Sequence, residues 1–351
     1  MRYTTFGNRT GLRVSEYALG TANFGTGWGA GAEPDDARRI FDRFAEAGGT
    51  FLDTADTYQF GESEELTGTF VSADRDHFVL ATKFTVGAAP QPTVSKTGNS
   101  RKTMVASVEA SLKRMGTDHI DLLWVHFPDE LTPMEEILRG LDDLVSAGKI
   151  HYAGLSNFPA WRVSRAVTLA ELKNWAPVIG IQHEYSLVER TADRELLPMT
   201  ESLGLGAALW SPLGGGLLTG KYRSSAEGRL SDLGAVIHTE STGQKTAVVD
   251  AVLAVADETG VTPAQVAVAW ARERADRSAA SLVPIIGPRT LTQLDSYLGA
   301  LDVRLTPEQY ARLSDVSAVP LGVPHEGTAA SLGGIQGGVP GRLLTPAAPA
   351  A

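Results

Sequence analysis

The chain alternates short apolar runs with longer amphipathic stretches, and it does so eight times. The apolar runs predict strands at Tyr17–Gly20, Thr50–Asp53, Phe78–Ala81, Ile120–Val125, Tyr152–Leu155, Val178–Gln182, Gly206–Trp210 and Ser281–Ile286. Short runs that are apolar throughout are typical of parallel strands buried on both faces. Eight such strands, each followed by a helical pattern, predict an α/β protein built as a (β/α)8 TIM barrel.

Proline at the start and glycine at the end mark several of the predicted helices. The helical stretches with such boundaries are Pro34–Ala47, Arg101–Met115, Pro133–Ala147, and two that begin at Pro263 and Pro307. The alternative is a doubly wound open sheet. It is disfavoured because the glycine-rich segment Gly25–Gly31 lacks the Gly-x-Gly-x-x-Gly spacing and no helix starts directly on it.

Three segments fall outside the alternation. Residues 3–14 predict an N-terminal β-hairpin, because two short strands flank the turn residues Gly7–Gly11. Lys221–Lys245 is a long polar connection after the seventh predicted strand, and connections of this length are usually functional or disordered. Residues 1–318 are therefore predicted to form one barrel domain. The Gly/Pro/Ala-rich tail, residues 319–351, is predicted to lie over the barrel or stay flexible.

Composition excludes several function classes. The formal net charge is −10, which argues against a nucleic-acid partner. The chain has no cysteine, so disulfide scaffolds, zinc–thiolate sites, iron–sulfur clusters and thiol nucleophiles are excluded. The histidines show no paired metal-ligand spacing, so no metal site is predicted. Neither a signal peptide nor a membrane-spanning run is found, and we expect a cytoplasmic protein without a membrane partner.

Four titratable residues of different kinds follow consecutive predicted strands. Asp53, Tyr58, Lys83 and His126 come from the second, third and fourth strands or the loops after them. Carboxyl ends of barrel strands form the active-site face, so these side chains are expected to converge. Taken singly, the aspartate could cap a turn, the lysine could be exposed, and the tyrosine and histidine could be packing residues.

Together, the four side chains have a chemical logic. A phenol with its ordinary pKa of about 10 is a poor proton donor at neutral pH, and a neighbouring ammonium stabilises the phenolate. A carboxylate beside the ammonium would hold it in place, and an imidazole could orient a carbonyl oxygen or assist proton relay. Such a set would protonate a carbonyl oxygen while a hydride from a bound cofactor attacks the carbon.

Several motifs resemble those of the aldo-keto reductase family, and the resemblance runs from about residue 2 to residue 315. They are Phe51–Tyr58 with Gly61–Glu64, Ala81–Phe84, Asp121–His126, Gly148–Ile150 with Gly154–Asn157, Gln182–Ser186 and Trp210–Leu213. The family is a (β/α)8 barrel that reduces aldehydes and ketones with NADPH. The resemblance implies that Tyr58 is the general acid, that Lys83 and Asp53 tune it, and that His126 orients the carbonyl.

The resemblance also implies a cofactor site. Ser156, Asn157 and Gln182 would bind the nicotinamide amide, Trp210 would stack on its ring, and Gly20, Thr21 and Asp53 would lie beside it. The pyrophosphate loop would contain Ser211, Pro212, Leu213, Gly215 and Lys221, and Arg229 is a weaker candidate to bind the cofactor phosphates. Gly287, Arg289 and Gln293 would hold the adenosine 2′-phosphate and adenine. Independently of the family, Arg289 lies near a predicted helix start, and its forked donors suit a phosphate, which favours NADPH over NADH.

The chain departs from the family pattern at two places. Asp295-Ser296-Tyr297 stands where many relatives hold adenine with an asparagine, so Tyr297 is a candidate to stack on the base. Gln59-Phe60 follows Tyr58 where a glycine is common. Their bulk could line the substrate entrance, with Phe24, Trp28, Phe60 and Phe127 as candidate substrate contacts.

The leading hypothesis is an NADPH-dependent reductase of a small carbonyl compound. The first alternative is an NADPH-binding barrel that acts mainly as a regulatory or redox-sensing subunit. A barrel isomerase acting on sugars is a third reading, disfavoured by the cofactor motifs. Neither the particular substrate nor an oligomeric state follows from the residues.

Overall fold

The fold is a closed barrel of eight parallel strands, as predicted. A computed structural model of the chain describes residues 1–223, 238–339 and 342–344. The barrel strands are β3 (Ala18–Gly20), β4 (Phe51–Asp53), β5 (Val79–Phe84), β6 (Ile120–Val125), β7 (Ile150–Ser156), β8 (Val178–Glu184), β9 (Gly206–Trp210) and β10 (Leu282–Ile286). Each strand pairs with its neighbours in chain order, and β10 closes the barrel against β3. The (β/α)8 prediction is therefore confirmed.

The predicted N-terminal hairpin is present as β1 (Tyr3–Thr5) and β2 (Arg13–Ser15), which pair antiparallel. Phe6, which follows β1, is fully buried, and its ring contacts Phe51 and Trp124 edge to face at centroid distances of 5.7 and 6.1 Å. A side chain at Gly206 would collide with this ring, since its Cβ would lie 2.8 Å from it. The hairpin thus places an aromatic plug in the barrel interior.

Helices pack around the barrel between the strands. Those in the described residues are α1 (Pro34–Glu46), α2 (Glu62–Val71), α3 (Arg101–Met115), α4 (Met134–Ser146), α5 (Ala160–Lys173), α6 (Leu196–Leu203), α7 (Gly243–Thr259), α8 (Pro263–Asp276), α9 (Leu291–Gly299), α10 (Pro307–Val316) and α11 (His325–Ile335). None of these is both long and apolar enough to cross a membrane.

Local sequence signals explain several of these boundaries. Ser100 caps α3 by accepting a hydrogen bond from the Thr103 amide, and Gly116 ends the helix in the left-handed conformation. Thr262 and Thr306 begin α8 and α10 with capping boxes followed by proline. These ends agree with the helix starts and stops predicted from the sequence.

Two segments contain helices that the sequence did not predict. Part of the predicted long connection Lys221–Lys245 is helical, because Thr242 caps α7 and the helix begins at Gly243. The tail contains α11, a helix without a buried side chain, and His325 lies 3.4 Å from Glu195 of the barrel domain. The division into residues 1–318 and 319–351 stays a prediction.

Candidate active site

The four candidate catalytic residues meet at the carboxyl end of the barrel. Asp53 is the last residue of β4, Lys83 lies within β5, and His126 directly follows β6. Tyr58 begins a short 3-10 turn five residues beyond Asp53. Parallel pairing of β4, β5 and β6 fixes the spacing of these strand ends, so backbone hydrogen bonds of the barrel hold the site together.

Lys83 is the centre of this group and is fully buried. Its Nζ donates hydrogen bonds to Asp53 Oδ2 at 2.6 Å, to the Thr54 carbonyl at 2.8 Å and to the Tyr58 hydroxyl at 3.1 Å. The ammonium also lies 4.6 Å from the centroid of the Tyr58 ring. All three ammonium donors are therefore used, and one of them reaches the candidate proton donor.

Burial and charge set the protonation states of the group. Burial by itself lowers the pKa of Lys83, but the charge of Asp53, the Tyr58 oxygen and the hydrogen bonds to both outweigh it and raise that pKa above its usual value. Burial, and then the charge of Lys83, hold the pKa of His126 well below its usual range. The lysine is consequently an ammonium and the histidine a neutral imidazole at neutral pH.

Two amide side chains hold this group from neighbouring strands. Gln182 on β8 donates from Nε2 to Asp53 Oδ1 at 2.8 Å. Asn157, which follows β7, donates from Nδ2 to the His126 carbonyl at 3.0 Å and to Ser156 Oγ at 3.1 Å. Both amides were predicted to contact nicotinamide, and both also brace the candidate catalytic residues.

A single cavity of about 610 Å³ runs from these residues to α9. Many of the sequence-predicted site residues lie in its wall: Gly20, Asp53, Tyr58, His126, Phe127, Asn157, Gln182, Trp210, Ser211, Pro212, Leu213, Gly215, Lys221, Gly287, Arg289 and Gln293. The cavity therefore joins the strand-end group to the segment that follows β10.

The turn after β9 shapes the middle of the cavity. Ser211 has a φ of 61° and accepts a hydrogen bond from the Gly215 amide at its Oγ, 3.0 Å away. Gly215 and Gly216 also have positive φ values, which glycine adopts without strain. Lys221 lies just beyond this turn, with Nζ 5.0 Å from the Tyr222 ring. The turn brings backbone amides and one cation to the cavity wall.

The far end of the cavity combines a cation with a helix N-terminus. Thr290 caps α9 by accepting from the Gln293 amide, and the Gln293 side chain accepts a hydrogen bond from the Arg289 amide at 2.8 Å. Ser296 and Tyr297, one turn further along α9, also line the cavity. A helix start with an arginine beside it is a suitable site for a phosphate group.

Some predicted site residues lie elsewhere. Thr21 and Ser156 are fully buried and do not line the cavity, and the Thr21 hydroxyl bonds Ser63 Oγ at 2.8 Å. Phe24 was predicted as a substrate contact, but it is fully buried and packs edge to face on Phe70, so it is a core residue. Arg229 lies outside the described residues.

Five rings form a continuous aromatic row across the candidate catalytic residues. In order they are Phe60, Trp28, Tyr58, His126 and Phe127, with successive centroid distances of 6.4, 6.0, 6.1 and 4.5 Å. The outer members Trp28, Phe60 and Phe127 are 36, 38 and 42% exposed, a large exposure for rings of this size. Of the five rings, Tyr58, His126 and Phe127 line the cavity, whereas Trp28 and Phe60 lie outside its lining and extend the row beyond it.

Side-chain hydrogen bonds fix the loops that carry the outer rings. Gln59 is 2% exposed; its Nε2 donates to the carbonyls of Ala22 and Ala30 at 3.0 and 3.1 Å, and its Oε1 accepts from the Trp28 amide at 2.8 Å. On the other side, Asn99 Nδ2 donates to the Phe127 carbonyl at 2.8 Å. The sequence indicated the bulk of Gln59, but it predicted neither the hydrogen bonds of the Gln59 side chain nor the bond from Asn99 to the Phe127 carbonyl.

Gln59 makes these bonds from a strained backbone. Its φ of 51° and ψ of 33° lie in the left-handed region, as do those of Phe60. This conformation is costly for residues with a Cβ and explains why glycine suits the position.

Asn23, Thr219, Ser296 and Tyr297 also line the cavity. Of these four, only Tyr297 had been singled out, as a candidate adenine contact.

Comparison with known proteins agrees with this geometry. A sequence model described as Aldo/keto reductase family matches residues 17–318. An uncharacterised oxidoreductase of Bacillus subtilis is 36% identical over 335 residues, which cover 93% of this chain and 99% of that protein. The norsolorinic acid reductase of Aspergillus flavus is 35% identical over 323 residues, 90% of this chain and 80% of the relative. The aryl-alcohol dehydrogenase [NADP(+)] of Phanerodontia chrysosporium is 34% identical over 340 residues, 90% and 86% of the two chains.

Barrel, candidate site and relatives together define an oxidoreductase. Within that class, the chain belongs to the aldo/keto reductase family.

Proposed function

We propose that the protein is an NADPH-dependent reductase of aromatic aldehydes or ketones, with Tyr58 as the general acid. The observation that carries the proposal is the Lys83 ammonium, which bonds both the Asp53 carboxylate and the Tyr58 hydroxyl at the wall of the cavity. This arrangement lets a phenol give up its proton, because the buried positive charge stabilises the phenolate that forms.

The residues around the cavity fit a dinucleotide. The amide side chains of Asn157 and Gln182, the Trp210 ring, the glycine-rich backbone after β9 and the cations Lys221 and Arg289 line the same cavity as Tyr58. Arg289 beside the start of α9 is the feature that favours a 2′-phosphate and hence NADPH. The name of the Phanerodontia chrysosporium relative, which specifies NADP(+), supports the same choice.

The nicotinamide cofactor, when bound, supplies the hydride. Tyr58 donates its hydroxyl proton to the carbonyl oxygen as negative charge develops there. His126, held neutral, donates a hydrogen bond that orients the same oxygen. Asp53 and the Thr54 carbonyl keep the Lys83 ammonium in place throughout. In the reverse direction, the phenolate accepts the alcohol proton.

The aromatic row supports an aromatic substrate. Exposed rings on both sides of Tyr58 and His126 offer stacking and edge contacts to a flat ring whose carbonyl points between them. The aryl-alcohol dehydrogenase relative carries that substrate class in its name.

The test follows NADPH absorbance with a panel of aromatic and aliphatic aldehydes of similar size. We expect reduction of the aromatic members with lower KM, and a fall in kcat of about 10² to 10⁴ in Tyr58→Phe. Tyr3→Phe, which removes a hydroxyl bonded to the Gly48 carbonyl at the other end of the barrel, is the matched control. Unchanged turnover in Tyr58→Phe would overturn the mechanism. NADPH binding by fluorescence, without turnover in the wild type, would instead favour a regulatory subunit.

A further inference from the structure

Three potential metal ligands converge at the amino ends of β6 and β7, at the opposite end of the barrel from the active site. Ile120 pairs with Ile150, so the next residues on the two strands, Asp121 and His151, are neighbours. His119 directly precedes β6, and its ring stacks on that of His151 with centroids 4.6 Å apart and planes 23° apart. One possible ligand atom from each of the three residues lies within 4.8 Å of the others.

Surrounding contacts orient each of these groups. Nδ1 of His119 lies 2.7 Å from Asp118 Oδ1, and a hydrogen bond donated from Nδ1 to this carboxylate would leave Nε2 as the ligand atom. Asp121 Oδ2 accepts hydrogen bonds from the Leu80 amide at 2.9 Å and from Arg75 at 2.7 Å. Its other oxygen, Oδ1, lies 3.7 Å from His151 Nδ1. A histidine with its second nitrogen bonded to a carboxylate is the usual arrangement of a metal ligand.

We propose that His119, Asp121 and His151 bind a divalent transition-metal ion, with Zn²⁺ as the best match. Two imidazoles and one carboxylate are ligands that Zn²⁺ accepts, and water would complete a tetrahedral shell. Bonds of about 2.0–2.2 Å require the ligand atoms to approach more closely than they do here. The His151 side chain is 48% exposed and can rotate to make that approach.

The neighbouring charges set the expected strength of the site. Arg75 offsets part of the Asp121 charge, whereas Asp118, whose side chain is 96% exposed, adds negative charge beside His119. The affinity should therefore be that of a three-ligand surface site rather than of a buried structural centre. An ion here would link β6 to β7 and stabilise the amino end of the barrel, where residues contribute to stability rather than to chemistry.

The test is calorimetric titration of ZnCl₂ into tag-free, metal-stripped protein. We expect one equivalent to bind to the wild type, a loss of affinity of at least about tenfold in His119→Gln and in His151→Gln, and no binding in the double variant. His77→Gln is the matched control, because His77 is an exposed histidine just before β5, close in sequence to Arg75. Zinc should also raise the Tm of the wild type and leave that of the double variant unchanged.

Circular dichroism checks that each variant is folded, and the exposure of His151 makes His151→Gln the variant least disturbing to the fold. The proposal is overturned if the wild type binds no zinc at millimolar concentration, or if the double variant binds zinc as tightly as the wild type. In either case, the two rings form only a stacked pair beside the Arg75–Asp121 ion pair.

Discussion

The two parts of the candidate active site are held by different means. Asp53, Lys83 and His126 lie on or directly after strands and are nearly inaccessible, so the barrel hydrogen bonds position them. Trp28 and Phe127 lie on loops, are more than a third exposed, and depend on Gln59 and Asn99 for their placement. The comparison indicates that strands fix the chemistry, whereas side-chain hydrogen bonds between loops fix the substrate surface.

The largest effect is expected from a substitution in the strand-borne part of the site, which consists of Asp53, Lys83 and His126. Lys83→Met removes the charge that stabilises the phenolate, and kcat should fall by about 10² to 10⁴. Stopped-flow measurement of NADPH oxidation with a saturating aromatic aldehyde gives this value. Lys96→Met, the same change at an exposed loop residue, is the control.

Lys83→Met also leaves the Asp53 carboxylate buried without its partner, which is destabilising. The double variant Lys83→Met/Asp53→Asn removes both charges. It allows the effect on kcat to be measured if the single variant unfolds. A folded variant of either kind that retains more than about a tenth of the wild-type kcat would contradict the role of the lysine.

An intermediate effect is expected from a substitution of Arg289, at the far end of the cavity. This substitution tests cofactor affinity separately from the strand-borne and loop-borne parts of the site. Arg289→Ala should raise the Kd for NADPH by about 10- to 100-fold, because charge-assisted hydrogen bonds are worth roughly 1.5–3 kcal/mol. The Kd for NADH and the kcat at saturating NADPH should change little. Fluorescence titration measures both cofactors, with Arg304→Ala as an exposed control. Equal weakening of NADPH and NADH would show that Arg289 does not recognise the 2′-phosphate.

The strand-borne part could be predicted from the sequence for a physical reason. A buried parallel strand is a continuous apolar run, and its carboxyl end is visible where the run stops at a polar residue such as Asp53 or His126. The bounds of β6 and β9 agree with the prediction. Strand β5 continues past the predicted Ala81 to Phe84, because Lys83 is buried by its partners rather than by apolarity.

The remaining features depend on contacts between segments that are distant in the chain. The strain in the left-handed backbone of Gln59 is offset by hydrogen bonds from its side chain to the carbonyls of Ala22 and Ala30, about 30 residues away in the chain. No local sequence pattern indicates these bonds. The histidines at 119 and 151 meet only because β6 pairs with β7. Helix α11 lacks a buried side chain, so it has no apolar periodicity to detect.

The smallest effect is expected in the loop-borne part of the site, the rings of Trp28 and Phe127. A substitution of Gln59 can separate the positioning of the Trp28 loop from the stability of the fold. Gln59→Gly removes three hydrogen bonds worth about 1 kcal/mol each, but glycine relieves a left-handed strain of about 1–2 kcal/mol. The net loss is therefore about 1–2 kcal/mol, and the Tm should fall by only a few degrees. Freed from Gln59, the loop that carries Trp28 becomes mobile, and the KM for aromatic aldehydes should rise about three- to tenfold with little change in kcat.

Gln59→Ala loses the same bonds and keeps the strain, so it should show the same KM and a lower Tm than Gln59→Gly, while Gln91→Gly in an exposed loop controls for added flexibility. If Gln59 only supports the fold, KM will follow Tm across the variants. If it positions the aromatic row, the two glutamine-59 variants will share one KM and differ in Tm. The shared KM depends on the contact between Gln59 and the Trp28 amide, which both variants lose. The difference in Tm depends on the φ of 51° at Gln59, which only glycine adopts without strain.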